Sequence, residues 1–176
     1  MRSYCLLIRA AVRSAVGLME LIERARQTLK TIANAALATA SADGTPWNSA
    51  VYIACDEAPT FYWCSPSTAV HSRNLADNPQ VFLLVFDSRQ PDHSGQAVYI
   101  SGTARELSDV SAIKRALDCL AARRGERPKS PADFMGSHPR RVYAMVPDMI
   151  WTNVVKEKDG HYFDERVAIE LTVASR

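Results

Sequence analysis

A succession of short strand-forming runs, separated by turn signals, constrains the fold of this chain more than any other feature. Residues 36–42 and 47–54 are β-rich and joined through Ala42-Asp43-Gly44-Thr45-Pro46, a hairpin signal in which Gly44 tolerates the φ that the turn demands. Residues 60–64 follow the Asp56-Glu57-Ala58-Pro59 turn, then come 81–87 and 96–105. Residues 141–146 and 149–155 read as two further strands, and Lys158-Asp159-Gly160 turns the chain toward a last one at 167–173. Helical spacing is confined to a few places. Leu18, Leu21, Ile22, Ala25, Leu29 and Ile32 share one face of 18–33, and Val110, Ile113, Leu117, Leu120 and Ala121 share another behind an Ser108-Asp109 cap. A short helical pattern begins near Thr68 and ends at Asn78-Pro79; 125–139 is a loop with one turn near 132–135. Many short strands with hairpin turns and few helices favour a closed or nearly closed antiparallel barrel, because closure removes exposed edges. A barrel of this size fills its interior with side chains. Ligands then sit outside it or at subunit contacts, which favours a homodimer with a shared groove.

Composition narrows the function classes. A length of 176 residues, 47% hydrophobic and 23% charged, fits a soluble globular protein with one sizeable core. The expected organisation is a single domain over 18–176 preceded by an N-terminal extension over 1–17, either poorly ordered or a lengthening of the first helix. A net charge of +2 gives no reason to expect nucleic acid. The nearest basic patch is Arg123, Arg124, Arg127 and Lys129 with Arg140 and Arg141, which reads as a solvated helix end and loop favoured by the helix dipole. Cys5, Cys55, Cys64 and Cys119 form no CxxC pair and read as reduced thiols in a cytoplasmic protein. Arg9 and Arg13 interrupt the apolar stretches of the N-terminus, so neither a signal sequence nor a membrane span is expected. His93, His138 and His161 lie in loops without metal-ligand spacing, and no metal is expected.

The segment 68–79 draws the functional reading. It places His71, Ser72 and Arg73 at the start of a helical pattern between two strands. A helix start with free N–H groups beside an arginine is suited to an anion, above all a phosphate. Ser65 and Ser67 can cap the same helix.

Three blocks in series carry a resemblance: Ala-Leu-Ala-Thr-Ala-Ser-Ala-Asp-Gly-Thr-Pro-Trp-Asn-Ser-Ala-Val at 36–51, His-Ser-Arg-Asn-Leu-Ala-Asp-Asn-Pro-Gln-Val at 71–81, and Gln-Ala-Val-Tyr-Ile-Ser-Gly-Thr-Ala-Arg-Glu-Leu at 96–107. In content, order and spacing they resemble the pyridoxamine 5′-phosphate oxidase-like, flavin-binding split-barrel superfamily, over roughly residues 20–173. The resemblance implies a mainly β (α+β) fold, an antiparallel split β-barrel with flanking helices, binding flavin mononucleotide (FMN) at a homodimer interface. It implies that Asn48, Ser49, Ala50 and Val51 lie along the flavin ring and that Cys64 and Ser65 reach the ribityl chain and phosphate. It further implies that Gln96, Trp151 and Arg166 touch the cofactor.

The chain also departs from the family pattern. The basic pair that clamps the flavin phosphate is replaced by Val70 and His71, leaving Arg73 as the one bidentate grip. Ser49 and Ala54 stand where the vitamin B6 oxidases carry Arg and Lys, so pyridoxamine phosphate is not the expected substrate. The leading expectation is an FMN-dependent oxidoreductase acting on a small molecule. The alternatives are a deazaflavin (F420)-dependent reductase and a non-enzymatic flavin- or haem-binding protein. Tyr99 and His71 are the candidates for acid–base work.

Overall fold

The computed structural model describes residues 2–90 and 97–171. Helix α1 (Arg2–Thr31) precedes strands β1 (Asn34–Ala40), β2 (Pro46–Tyr52), β3 (Ala54–Cys55) and β4 (Phe61–Pro66). Helix α2 (Val70–Asp77) leads to β5 (Gln80–Phe86) and β6 (Ala97–Glu106). Helix α3 (Val110–Arg124), a 3-10 turn at Pro131–Phe134, and the strands β7 (Arg140–Lys158) and β8 (His161–Ala168) complete the chain. All strands join one antiparallel sheet in the order β2-β1-β5-β6-β7-β4-β3, with β8 added on β7. The mainly β split-barrel class expected from the sequence is the one observed.

Local chemistry explains most element ends. In the β1–β2 turn Gly44 has φ 86°, and the Asp43 carboxylate accepts from the Ser41 hydroxyl (2.6 Å) and the Thr45 N–H (3.0 Å). Those two bonds hold its pKa down at about 2. Asp109 caps α3 by accepting from the Ala112 N–H at 2.8 Å, and Gly125 ends the helix in the left-handed conformation. Helix α2 departs from expectation. Its N-cap is Ala69 with no side-chain cap, while Ser67 bonds instead to the Pro139 carbonyl. Tertiary contact with the β7 entry therefore replaces the expected local cap.

The strands expected at 141–146 and 149–155 are one strand, β7, with an irregularity. Its register on β6 shifts between Ser101/Met149 and Gly102/Pro147, which leaves Asp148 as an extra residue. Pro147 sits at this bulge, where its missing N–H breaks no ladder bond. The extra residue reverses the alternation along β7. Before it Tyr143 and Met145 point into the barrel; after it Ile150 and Thr152 do, and Trp151 faces out. Gly102 makes the close approach possible, because a Cβ there would lie 2.3 Å from the Val146 carbonyl oxygen and 2.9 Å from Pro147 Cα.

Two cores result. Leu37, Phe61, Trp63, Leu83, Ile100 and Met145 fill the barrel, closed at one side by Ala25 and Leu29 of α1. Ile113, Leu117 and Leu120 of α3 pack with Phe134 on the outer faces of Tyr62, Val142 and Ala144. The two faces of β4 thus serve different cores, which follows from side chains alternating across a strand.

Candidate functional site

The residues singled out from the sequence fall into two groups on opposite faces of the sheet. The first is a polar seam inside the barrel. β2 is one end of the sheet order, and among the described residues it makes no backbone ladder with β4. The gap is bridged by side chains. His71 on α2 reaches across it, with Nδ1 3.0 Å from Ser49 Oγ on β2 and Nε2 2.8 Å from Ser65 Oγ on β4. Ser49 Oγ also accepts from the indole N–H of Trp47 at 3.1 Å. One turn further along α2, Asn74 donates to Thr39 Oγ1 on β1 at 3.0 Å. Helix α2 is therefore fastened to three strands by its polar face, and Leu75 points with that face into the barrel core.

This geometry changes what His71 can do. The residue is only 8% exposed, both ring nitrogens are engaged, and burial lowers its pKa below the ordinary imidazole value. A neutral imidazole that holds two hydroxyls is a staple between strands rather than a free cation. Ser72 is also buried, its hydroxyl without a hydrogen bond of ordinary geometry though close enough to Tyr143 to act against the rise that burial imposes on the phenol. Arg73 points to solvent and donates to the Thr68 carbonyl. Val51 lies in the core. Cys64 faces away from the seam toward α3, and burial pushes its thiol pKa up, partly offset by Arg140 and Arg124.

The second group forms a shelf on the outer face. Ala38 pairs directly with Asn48 on one side and Phe82 on the other, and Ala36 with Ala50 and Leu84. Partners opposite one another in an antiparallel pair share a face, so Asn48 and Ala50 lie beside Ala36 and Ala38 in one plane. The plane is bounded by aromatic rings. Phe82 stacks on Trp151 (centroids 6.3 Å, 18° between planes) and tilts against Tyr99 at 6.5 Å. The Arg166 guanidinium lies 4.2 Å from the Tyr99 ring centre, a cation–π contact. Arg166 reaches it because β8 pairs Arg166 with Asn153, two residues beyond Trp151.

Sequence reasoning placed Asn48, Ala50, Trp151 and Arg166 in one site, and they share this shelf. It put Ser49, Ser65 and His71 in the same site, yet these meet on the inner face of the barrel. Gln96 lies outside the described residues. Phe82, Ala36 and Ala38 were missed; their signal was the period-2 alternation of β1 and β5, which marks the half-exposed face as clearly as the buried one. Among the described residues no group of three or more His, Cys, Asp or Glu side chains could hold a metal, and no helix is long and apolar enough to cross a membrane.

Comparison with known proteins places this arrangement. The family described as pyridoxamine 5′-phosphate oxidase matches residues 21–154. Atu2129 from Agrobacterium tumefaciens, a protein of unknown function, superimposes with a TM-score of 0.59 at 19% identity over 76% of this chain and 56% of its own length. The present chain thus spans about half of that protein. HutZ, the haem storage protein of Vibrio cholerae, gives 0.61 at 17% identity over 72% of this chain and 90% of its own. An F420 reductase gives 0.50 at 20% identity over 70% and 93%. At these identities the likeness is one of fold. No curated protein matches the sequence.

Proposed function

The chain belongs to the pyridoxamine 5′-phosphate oxidase family, and from that premise we propose that it is an FMN-binding oxidoreductase acting as a homodimer, with the flavin ring on the outer shelf. The observation that carries this reading is the floor of small residues, Ala36, Ala38 and Ala50 with Asn48, walled by the Phe82–Trp151–Tyr99 cluster. With Leu84 of β5 beside Ala36, three adjacent strands give the floor a width of about 10 Å, and its small side chains leave room for a planar aromatic ring. Asn48 supplies a polar group at the edge, while Arg166, fixed on Tyr99, brings positive charge to the same rim.

The phosphate end fits less well. Val70 cannot hold an anion and His71 is occupied as a neutral staple; Arg73 is the exposed cation of α2. Binding then rests on ring contacts more than on phosphate grip. The bound flavin would supply hydride acceptance and donation. The protein's part is to bind and orient the ring, to screen one of its faces from water, and to place the Tyr99 hydroxyl near the substrate. A second subunit covering the half-exposed shelf would complete the groove. Substrate is read as a small reducible or oxidisable molecule.

The test is an absorbance spectrum of the purified protein after FMN addition and desalting. Retained flavin bands, lost in Ala38→Trp and weakened in Arg73→Ala, support the reading. A colourless protein that leaves the fluorescence of added flavin unquenched refutes it. The weak phosphate end favours a second reading, a protein that binds haem on the same shelf; a deazaflavin-dependent reductase is the alternative enzyme, for which a basic groove for the cofactor's acidic tail would be expected. Haem titration giving a Soret band would select the former, and tighter binding of F420 than of FMN the latter.

A further inference from the structure

The basic residues of 123–141 do not form one solvated patch. Arg123 donates from Nη2 to the Leu29 and Ile32 carbonyls, both at 2.7 Å, and caps the end of α1. Arg141 is bound to Glu106 at 3.0 Å and to carbonyls of the preceding loop. The other four, Arg124, Arg127, Lys129 and Arg140, line a single cavity of about 240 Å³. They come from three different places: the last turn of α3, the loop beyond its Gly125 cap, and the first residue of β7. The helix dipole accounts for the first of these only, because its effect fades beyond the last turn.

Among the described residues none of the four stands in an ion pair. Arg124 lies over the Tyr52 ring at 4.4 Å, and Arg140 donates to the Cys64 carbonyl at 3.3 Å; both contacts fix a guanidinium without neutralising it. Glu126 is the one carboxylate on the wall. The floor is apolar, built from Leu117, Phe134 and the half-buried Cys64. Four like charges gathered over an apolar floor repel one another, and an anion seated among them relieves that repulsion. An exposed basic face for a long polyanion would need neither a recess nor an apolar base.

We propose that this cavity binds a small phosphorylated organic anion, its phosphate held by Arg124, Arg127, Lys129 and Arg140 and its carbon skeleton resting on Leu117 and Phe134. Cys64 separates this site from the seam: its side chain faces the cavity while Ser65, the next residue, faces His71. The site is therefore independent of the shelf and does not rest on flavin binding there.

The test is calorimetric titration of the whole 176-residue chain with inorganic pyrophosphate at constant ionic strength. The double variant Arg127→Glu/Lys129→Glu changes two exposed loop residues, and Arg115→Glu changes one exposed residue of α3 outside the cavity. Binding by the unmodified protein and by Arg115→Glu, with at least about tenfold weaker binding by the double variant, supports the site. Absence of binding by the unmodified protein overturns it. So does an equal loss in Arg115→Glu, which would mean that net charge alone attracts the probe. Circular dichroism of each variant establishes that it is folded before titration.

Discussion

Gly102→Ala is the substitution whose cost the structure fixes most directly. The added methyl would meet Val146 O at 2.3 Å, Met145 Cε at 2.8 Å and Pro147 Cα at 2.9 Å. The Met145 side chain can turn away, but the other two atoms belong to the backbone of β7 at its bulge. Relief requires β6 and β7 to separate, or the extra residue at Asp148 to move. Overpacking of a filled interior costs about 1–3 kcal/mol, and rigid backbone neighbours put this case at the upper end, about 3 kcal/mol. For a chain of this size that lowers Tm by about 6–12 °C. Thermal unfolding followed by far-UV circular dichroism measures it. The bulge also turns Trp151 outward, so the variant should alter the near-UV signal and weaken any ligand held on the shelf. Gly17→Ala is the control: it meets nothing within 4 Å and lies inside α1, so it should raise stability by about 0.5–1 kcal/mol. A Gly102→Ala protein melting within about 1 °C of the parent would refute the argument that close backbone approach holds the bulge.

Three further outcomes are expected. Because burial depresses the pKa of His71 in the folded state, the unfolded chain takes up a proton first as pH falls below 6.5; stability should be full above that value and decline as pH falls through the folded pKa. Urea unfolding at pH 8 and pH 5 should show the decline, and His71→Gln should reduce it. Tyr62 donates to Asp56 Oδ2 at 2.7 Å, and burial, then that bond, pushes its pKa up to about 12; an ultraviolet titration should find this phenol un-ionised at pH 10.5, and Tyr62→Phe should cost about 2 kcal/mol. Arg123→Ala removes both bonds to the end of α1 and should lower stability by about 2 kcal/mol, with the loss visible as earlier hydrogen exchange in α1.

Sequence patterning was sufficient wherever the deciding forces are local. The β1–β2 hairpin follows from Asp43-Gly44, the start of α3 from Asp109, its end from Gly125, and the β7–β8 turn from Asp159-Gly160, whose φ values are 54° and 77°. In each case a cap or a positive φ acts within a few residues. The alternating runs of β1 and β5 were legible for the same reason, since one buried face per strand imposes a period of two; the last strand, expected at 167–173, forms instead at His161–Ala168, where nearly every side chain is exposed and no alternation marks it. The motif blocks added the family and, with it, four residues of the shelf.

What the sequence could not determine depends on groups far apart along the chain. His71 looked like a phosphate ligand because its neighbours in sequence are polar and basic; it is a staple because Ser49, 22 residues away, and Ser65 meet its two nitrogens. The basic run of 123–141 looked uniform, yet folding sorted it into two structural arginines and four that face a cavity. Trp151 points outward because one extra residue at Asp148 reverses the alternation, and Gly102 on another strand makes room for it. Local sequence thus set which strands and turns exist, through φ preference and periodicity. Only the tertiary structure decided which side chains are consumed in holding the barrel shut and which remain free to bind, because that depends on the partner each polar group finds once water is excluded.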